Sequence, residues 1–303
     1  MTQVGWIGLG AMGAPMAACV AGAGHPVKAF DIDPSRVDVL AADGMRSAAT
    51  VADAATDVDV LVLMVATATQ AESVLYGDGD AAASLEPGAT VMVMATVGPA
   101  AVRDWAARLA SRGVDVVDAP VSGGVARAGT GDLLIMVGGD GRAVERVRPL
   151  LDAMGSTTPV VGAEPGDGQK VKLVNQLLCG VHIAAAAEGL AFAEAMGLDA
   201  RECWEVLRGG AAASFMLDDR GARMVDGAFD EAKSALDIFV KDMGLVTDAA
   251  RERAYPTPLA AVVEQLYVAG RRAGLGRLDD SSLIQVLRGQ LTTSERTRRD
   301  ASS

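Results

Sequence analysis

Val4-Gly5-Trp6-Ile7-Gly8-Leu9-Gly10-Ala11-Met12-Gly13 runs an apolar stretch straight into three glycines spaced G-x-G-x-x-G, and the Ala-rich segment behind them has the composition of a helix. That order of strand, turn and helix raises such a triplet above chance. Gly8 permits the tight turn, Gly10 lets the backbone approach a pyrophosphate, and Gly13 permits close helix packing. The helix start offers unpaired N–H groups and a positive dipole end to the phosphates, with Leu9, Ala11 and Met12 completing the loop. Asp31 ends the next apolar run, 23 residues after Gly8. Its carboxylate is placed to accept hydrogen bonds from ribose hydroxyls and would repel a 2′-phosphate, so the expected cofactor is NAD rather than NADP. The plain alternative is a structural turn followed by a capping Asp. Asp33, just before Pro34, reads as a helix cap and not as a second ribose ligand.

Outward from this loop, short β-branched runs alternate with helical patterns up to about residue 163. Strands are expected at Val4–Gly8, Val27–Phe30, Val58–Met64, Thr90–Met94, Val114–Asp118, Leu133–Val137 and Thr158–Val161. Helices include Ala11–Ala23, Pro34–Ala42, Thr69–Tyr76 and Ala100–Ser111. At Gly162-Ala163-Glu164-Pro165-Gly166 the pattern breaks. A long helix from Asp167 to about Met196 follows, then helices at Ala200–Arg208, Phe215–Val225, Ser234–Arg253, Pro258–Ala273 and Asp280–Gly289. The expected fold is an α/β Rossmann-type doubly wound N-terminal domain over 1–163, followed by an all-α substrate and oligomerisation domain over 164–295 and a polar tail at 296–303. The long helix is rich in Ala and Leu on most faces, so little of it should meet water; burial between domains or subunits, in a homodimer or homotetramer, is expected.

The 303 residues carry a formal charge of −12 and are 50% hydrophobic. That charge repels nucleic acid and anionic lipid, and Lys and Arg form no compensating patch, so neither is an expected partner. Cys19, Cys179 and Cys203 are too few and too scattered for a disulfide framework or zinc site and read as buried thiols of a reducing compartment. With only His25 and His182, no metal is expected. His182 sits in an Ala-rich helix and reads as a core histidine. Met92, Met94, Met136 and Met154 read as core filler. The N-terminus lacks the basic region and long apolar run of a secretory signal, and no uninterrupted apolar run reaches membrane-spanning length; a cytoplasmic location is expected.

Lys172 and Asn175 are spaced i, i+3 and share a helix face, with Gly168 one turn earlier leaving room for a ligand. An amine in a closed, partly apolar site has its ammonium form disfavoured, and a second cation at Lys241 would add to this. A neutral Lys172 could then take a hydroxyl proton while hydride leaves the same carbon. Lys170, two residues away, points to another face and reads as a surface or phosphate-proximal charge. The alternative for Lys172 is an ordinary solvated lysine. Ser122-Gly123-Gly124 is either a plain turn or an anion nest of consecutive N–H groups.

Gly5–Gly13, Asp118-Ala119-Pro120-Val121-Ser122-Gly123-Gly124, Gly166–Gln176 and Phe239-Val240-Lys241-Asp242 together resemble, in order, the signature motifs of the β-hydroxyacid dehydrogenases. The resemblance implies an NAD-dependent enzyme interconverting a small anionic hydroxy acid and its oxo acid or semialdehyde. It implies Lys172 as catalytic residue, Asn175 as a substrate ligand, and Ser122, Gly123 and Gly124 at the substrate carboxylate. It places Thr96 and Lys241 at the nicotinamide end, with backbone contacts from Val65 and Ala66. Met64-Val65-Ala66 departs from the Leu-Pro pair often found there, and Gln70 stands where Asn is common. The stretches Gln176–Glu188, Ser214–Met216 and Asp237–Asp242 are most similar to the threonate dehydrogenase branch; threonate, 3-hydroxyisobutyrate, glycerate and tartronate semialdehyde are the substrates considered. Two other readings stand beside it: an imine reductase, against which Lys172 argues, and a dinucleotide-binding scaffold without turnover.

Overall fold

The computed structural model describes residues 1–38 and 44–289. The expected polar tail at 296–303 and the end of the helix expected over Pro34–Ala42 lie outside the described residues. The chain divides into two compact units, Met1–Lys172 and a second that begins at Leu173.

Among the described residues the first unit carries ten strands: β1 Val4–Ile7, β2 Val27–Phe30, β3 Arg46–Ser47, β4 Val60–Leu63, β5 Thr90–Val93, β6 Asp115–Asp118, β7 Val121–Ser122, β8 Leu134–Ile135, β9 Val137–Gly138 and β10 Val160–Gly162. Eight form one sheet in the order β10-β9-β6-β5-β4-β1-β2-β3. From β3 to β6 it is parallel and has the 3-2-1-4-5-6 order of doubly wound folds, whose crevice opens between β1 and β4 where the strand order reverses. Ile7 pairs with Phe30 on one side and Leu63 on the other, so Gly8, Asp31 and Met64 leave the sheet at the same level. Alternate strand residues enter two separate cores. Val4, Trp6, Val62 and Met92 pack on one face with the helices Gly13–Gly22 and Gly141–Met154. Ile7, Leu61, Leu63 and Val91 pack on the other with Leu75, Val102 and Trp105. Burial on both faces accounts for the near-continuous apolar strands.

Two differences from the sequence expectation have local causes. The stretch Leu133–Val137 divides: Leu134–Ile135 pairs antiparallel with Val121–Ser122 as a separate two-stranded ribbon, and Val137–Gly138 returns to the main sheet beside β6. The helix Gly141–Met154 falls outside the expected segments, although its Asp140 cap and buried Val144, Val147, Leu151 and Met154 carry the helical period.

The second unit is helical: the remainder of the 29-residue helix Asp167–Ala195, then Ala200–Leu207, Phe215–Asp226, Leu236–Glu252 and Pro258–Arg272, closing with a 3₁₀ turn Asp280–Leu283 and a helical turn Ile284–Leu287. Ile183, Leu190, Leu236, Met243 and Tyr267 form its core, with Phe239 stacked on Tyr267 at 5.3 Å between centroids. Within that core, Arg220 forks onto both oxygens of Asp280 at 3.0 Å, and Arg223 holds Asp279. Burial alone would lower the Arg220 pKa; the Asp280 and Asp219 carboxylates outweigh it and hold the guanidinium above its ordinary value.

The long helix corrects two expectations, on His182 and on membrane-spanning length. It buries only the face carrying Ile183, Ala187 and Leu190, while Val174 is 61% and Phe192 63% exposed, so much of its apolar surface meets solvent in the single chain. His182 lies on that outer stripe, spaced by helical turns from Val174 and Leu178, and is exposed rather than part of the core. By length and composition the helix is also apolar enough to cross a membrane, unlike the expectation from uninterrupted runs. The three cysteines are half-buried thiols rather than fully buried ones.

Candidate functional site

The glycine loop has the shape its spacing requires. Gly8 has φ 99°, in the region side chains rarely adopt, and a Cβ on Gly13 would come within 2.1 Å of the Gly8 carbonyl oxygen. The first bond of the following helix runs from the Ala14 N–H to the Gly10 carbonyl, so the N–H groups of Ala11, Met12 and Gly13 have no acceptor within the helix. Gly10 faces open space, a Cβ there meeting nothing nearer than the Arg36 guanidinium at 3.8 Å. The loop therefore fits a pyrophosphate. Leu9 differs from its neighbours: its N–H donates to Asp31 Oδ2 at 2.6 Å and its side chain belongs to the core. Asp31 is itself buried, also accepts the Asp33 N–H, and has Arg36 Nη1 3.6 Å from Oδ2. Asp33 caps the next helix by accepting from Ser35.

At the end of β4, Val65 is half-buried and Ala66 exposed. Gln70 closes a capping box with Thr67, and its Oε1 accepts the Ala66 N–H at 2.8 Å. The departure at Gln70 thus has a structural use, and it engages the very N–H that a backbone contact from Ala66 would offer. Thr96 is half-buried just past β5.

Lys172 is 7% exposed, and its Nζ donates to the Val121 carbonyl at 2.7 Å, one residue before Ser122-Gly123-Gly124. The first unit thus brings the amine to the segment named with it. Gly123 and Gly124 both have positive φ, 144° and 75°. The helix carrying Lys172 is tied down at its start. Asp118, wholly buried, accepts the Gly166 and Gln169 N–H groups at 2.6 Å each. Burial pushes the Asp118 carboxyl up to about 7, against the lowering effect of those donors. Lys170 points elsewhere and pairs with Asp167 at the surface.

In the second unit, Asn175 Nδ2 donates to Gln176 Oε1 at 2.8 Å and to Cys179 Sγ at 3.4 Å. Gln176 in turn donates to the buried Asp242. Lys241 Nζ stands 3.0 Å from the other Asp242 oxygen as an ion pair without hydrogen-bond geometry. Among the described residues no cluster of His, Cys, Asp and Glu could hold a metal.

Residues 3–162 match the family of the NAD-binding domain of 6-phosphogluconate dehydrogenase, and residues 166–287 that of the NAD-binding region of NADP-dependent 3-hydroxyisobutyrate dehydrogenase. The L-threonate dehydrogenase of Pectobacterium atrosepticum is 40% identical over 284 residues, 93% of each chain. The chain belongs to the β-hydroxyacid dehydrogenase family. The 2-hydroxy-3-oxopropionate reductase of Escherichia coli is a further relative, 36% identical over 94% of this chain and 97% of its own. A crystal structure of 3-hydroxyisobutyrate dehydrogenase from Salmonella typhimurium superposes with a TM-score of 0.88 at 38% identity, covering 94% of this chain and all of that one. This β-hydroxyacid dehydrogenase is an NAD-dependent oxidoreductase of hydroxy acids.

Four residues of the dehydrogenase stand at these loops without having been singled out as site residues in the sequence. Arg36 lies against Asp31 and Gly10, and Ile32, 91% exposed, offers apolar surface directly after Asp31. Asp118 and Gln169 tie the Lys172 helix to the strand ends. The position of Arg36 one helical turn past Asp33 was the only local signal; the other contacts join residues far apart in sequence.

Proposed function

We propose that this chain oxidises a short polyhydroxy acid of the L-threonate kind, with Lys172 as the group that exchanges the hydroxyl proton. The observation that carries the proposal is the buried Lys172 amine held 2.7 Å from the Val121 carbonyl, beside the Ser122-Gly123-Gly124 turn. The 40% identity to an L-threonate dehydrogenase supports the choice of acid.

Ser122, Gly123 and Gly124 receive the substrate carboxylate through N–H groups that carry no bulky side chains. Asn175 holds a substrate hydroxyl, and Lys172 accepts the proton of the hydroxyl being oxidised. Bound NAD supplies the hydride acceptor at its nicotinamide C4. Lys172 would take the proton of the carbinol as its carbon becomes a carbonyl, the hydride being balanced by the acceptor that bound NAD would supply; in reverse the Lys172 ammonium would return the proton. Gly8, Gly10, Ala11, Met12 and Gly13 hold the pyrophosphate, with Leu9 serving through its bond to Asp31. Asp31 receives ribose hydroxyls, and Val65, Ala66, Thr96 and Lys241 line the nicotinamide end, Ala66 through groups other than its N–H.

The domain limits are proposed to follow function: nucleotide binding over 1–163, with substrate binding and oligomerisation beyond. Val174, Leu178 and Phe192, exposed along one helix, support assembly into a homodimer or homotetramer. A soluble, cytoplasmic enzyme fits a long helix that is half core and carries Gln169 and Lys172 buried near its start.

The test is NADH formation with L-threonate, 3-hydroxyisobutyrate and glycerate, and NADPH formation in parallel. The expected result is the highest kcat/KM for L-threonate with NAD. Silence on all three acids while NADH still binds would overturn the substrate class.

A further inference from the structure

Gln169 is wholly buried, and all three of its side-chain hydrogen bonds go to one short stretch of backbone. Its Oε1 accepts the Val97 N–H at 3.0 Å and the Gly98 N–H at 3.1 Å, and its Nε2 donates to the Ala95 carbonyl at 2.9 Å. These contacts bracket Thr96 from both sides. The backbone N–H of the same Gln169 is held by Asp118 Oδ2, and Asp118 Oδ1 holds the Gly166 N–H, so the carboxylate that ends β6 fixes the first turn of the helix. Lys172 follows Gln169 by three residues on that helix, on a neighbouring part of its surface. The approach is close enough to exclude a side chain at Gly168, where a Cβ would lie 2.3 Å from the Met136 carbonyl oxygen and 2.8 Å from Asp118 Oδ2.

We infer that Gln169, seated by Asp118, is a positioning residue that sets the distance between the Thr96 turn and the Lys172 amine. The inference rests on the proposed roles of Lys172 and Thr96 and deepens them. An amide is the side chain suited to this place. It presents one acceptor for two N–H groups and a donor for the carbonyl beside them without having to hold a proton. A rigid second layer of this kind is what holds reacting groups within the tolerance that chemistry demands, and a displacement near 1 Å costs on the order of a hundredfold in rate.

The test compares Gln169→Leu, Gln169→Glu and Lys172→Ala with the wild-type chain. The measurements are kcat, KM, NADH affinity by fluorescence, thermal unfolding, and the isotope effect on kcat with acid deuterated at the carbinol carbon. For Gln169→Leu the expected result is a kcat lowered roughly 10- to 100-fold with an increased isotope effect, while KM and NADH affinity move about threefold or less. Gln169→Glu, neutral when buried, keeps the acceptor for both N–H groups and an O–H donor for the Ala95 carbonyl, so it recovers much of the loss. A purely structural role predicts a loss that tracks the unfolded fraction and an unchanged isotope effect, and that result would overturn the inference. Should Gln169→Leu not fold, Gln169→Met, close in length and without the three hydrogen bonds, decides: lowered kcat with a raised isotope effect supports positioning, and wild-type values of both contradict it. Lys172→Ala separates the two levels of argument. If it turns over normally, the proposed chemistry is wrong; if it is inactive while Gln169→Leu behaves as wild type, only the positioning role is wrong.

Discussion

The two units bury polar side chains for different ends. In the sheet unit, Asp31, Asp118 and Gln169 are buried without a buried counter-charge, and each accepts backbone N–H groups of the loops and helix start beside the strand ends. In the helical unit, the fully buried Asp279 and Asp280 are paired with the half-buried Arg223 and Arg220, charge to charge between a helix and the 3₁₀ turn. A side chain bonded to loop backbone fixes where a loop goes, so its removal should appear first in chemistry or cofactor choice. A charge bonded to a charge fixes how helices pack, and its loss leaves the partner uncompensated in a low dielectric. Function and stability should therefore be separable between these two groups of side chains.

The contrast is broken most forcefully in the helical unit. Asp280→Ala removes the two-bonded partner of the Arg220 guanidinium and leaves it Asp219 alone, which should cost about 3 kcal/mol of stability, read from urea unfolding by circular dichroism, with kcat per folded molecule little changed. A loss of kcat without a loss of stability would erase the distinction.

In the sheet unit, Asp118 has a folded pKa of about 7 against an ordinary 3.8. Between those values the native state keeps a proton that the unfolded chain has released. Its contribution is thus fully present below about pH 4 and declines as pH rises toward 7, by roughly 4 kcal/mol at most. Asp118→Asn should remove that segment of the pH dependence of stability; an unchanged profile would show that the carboxyl does not titrate there.

The smallest expected effect is on cofactor choice. Asp31→Asn removes the charge facing the ribose and leaves the Arg36 guanidinium, 3.6 Å away, to attract a 2′-phosphate. The kcat/KM ratio of NAD to NADP should fall by about 1.5–3 kcal/mol, roughly 10- to 150-fold. An unmoved ratio would detach Asp31 from cofactor selection and leave it only its bond to the Leu9 N–H.

What the sequence disclosed divides along the range of the interactions. The glycine loop, the strand before it, Asp31 and most helices were legible, because period, spacing and capping act within a few residues. The double use of Asp31 was less so, since its bond to Leu9 closes over 22 residues. The bonds of Asp118 to Gly166 and of Gln169 to Val97 close over 48 and 72 residues, and no local pattern announces them. His182 was misread for a related reason: an Ala-rich helix gives weak contrast between its faces, and only packing reveals which one is covered. Strand β8 lies outside the main sheet because it pairs with a short ribbon partner, Val121–Ser122, far from it in sequence.

The central claim is that Lys172 performs the proton transfer while the glycine loop and Asp31 bind the cofactor independently of it. Its most direct test is Lys172→Ala, measured for NADH affinity by fluorescence and for turnover on the best acid of the panel. The account predicts NADH affinity within about threefold of wild type and turnover lowered by roughly 10²- to 10⁴-fold, the range general acid–base catalysis contributes. Turnover near the wild-type rate with NADH binding intact would contradict it.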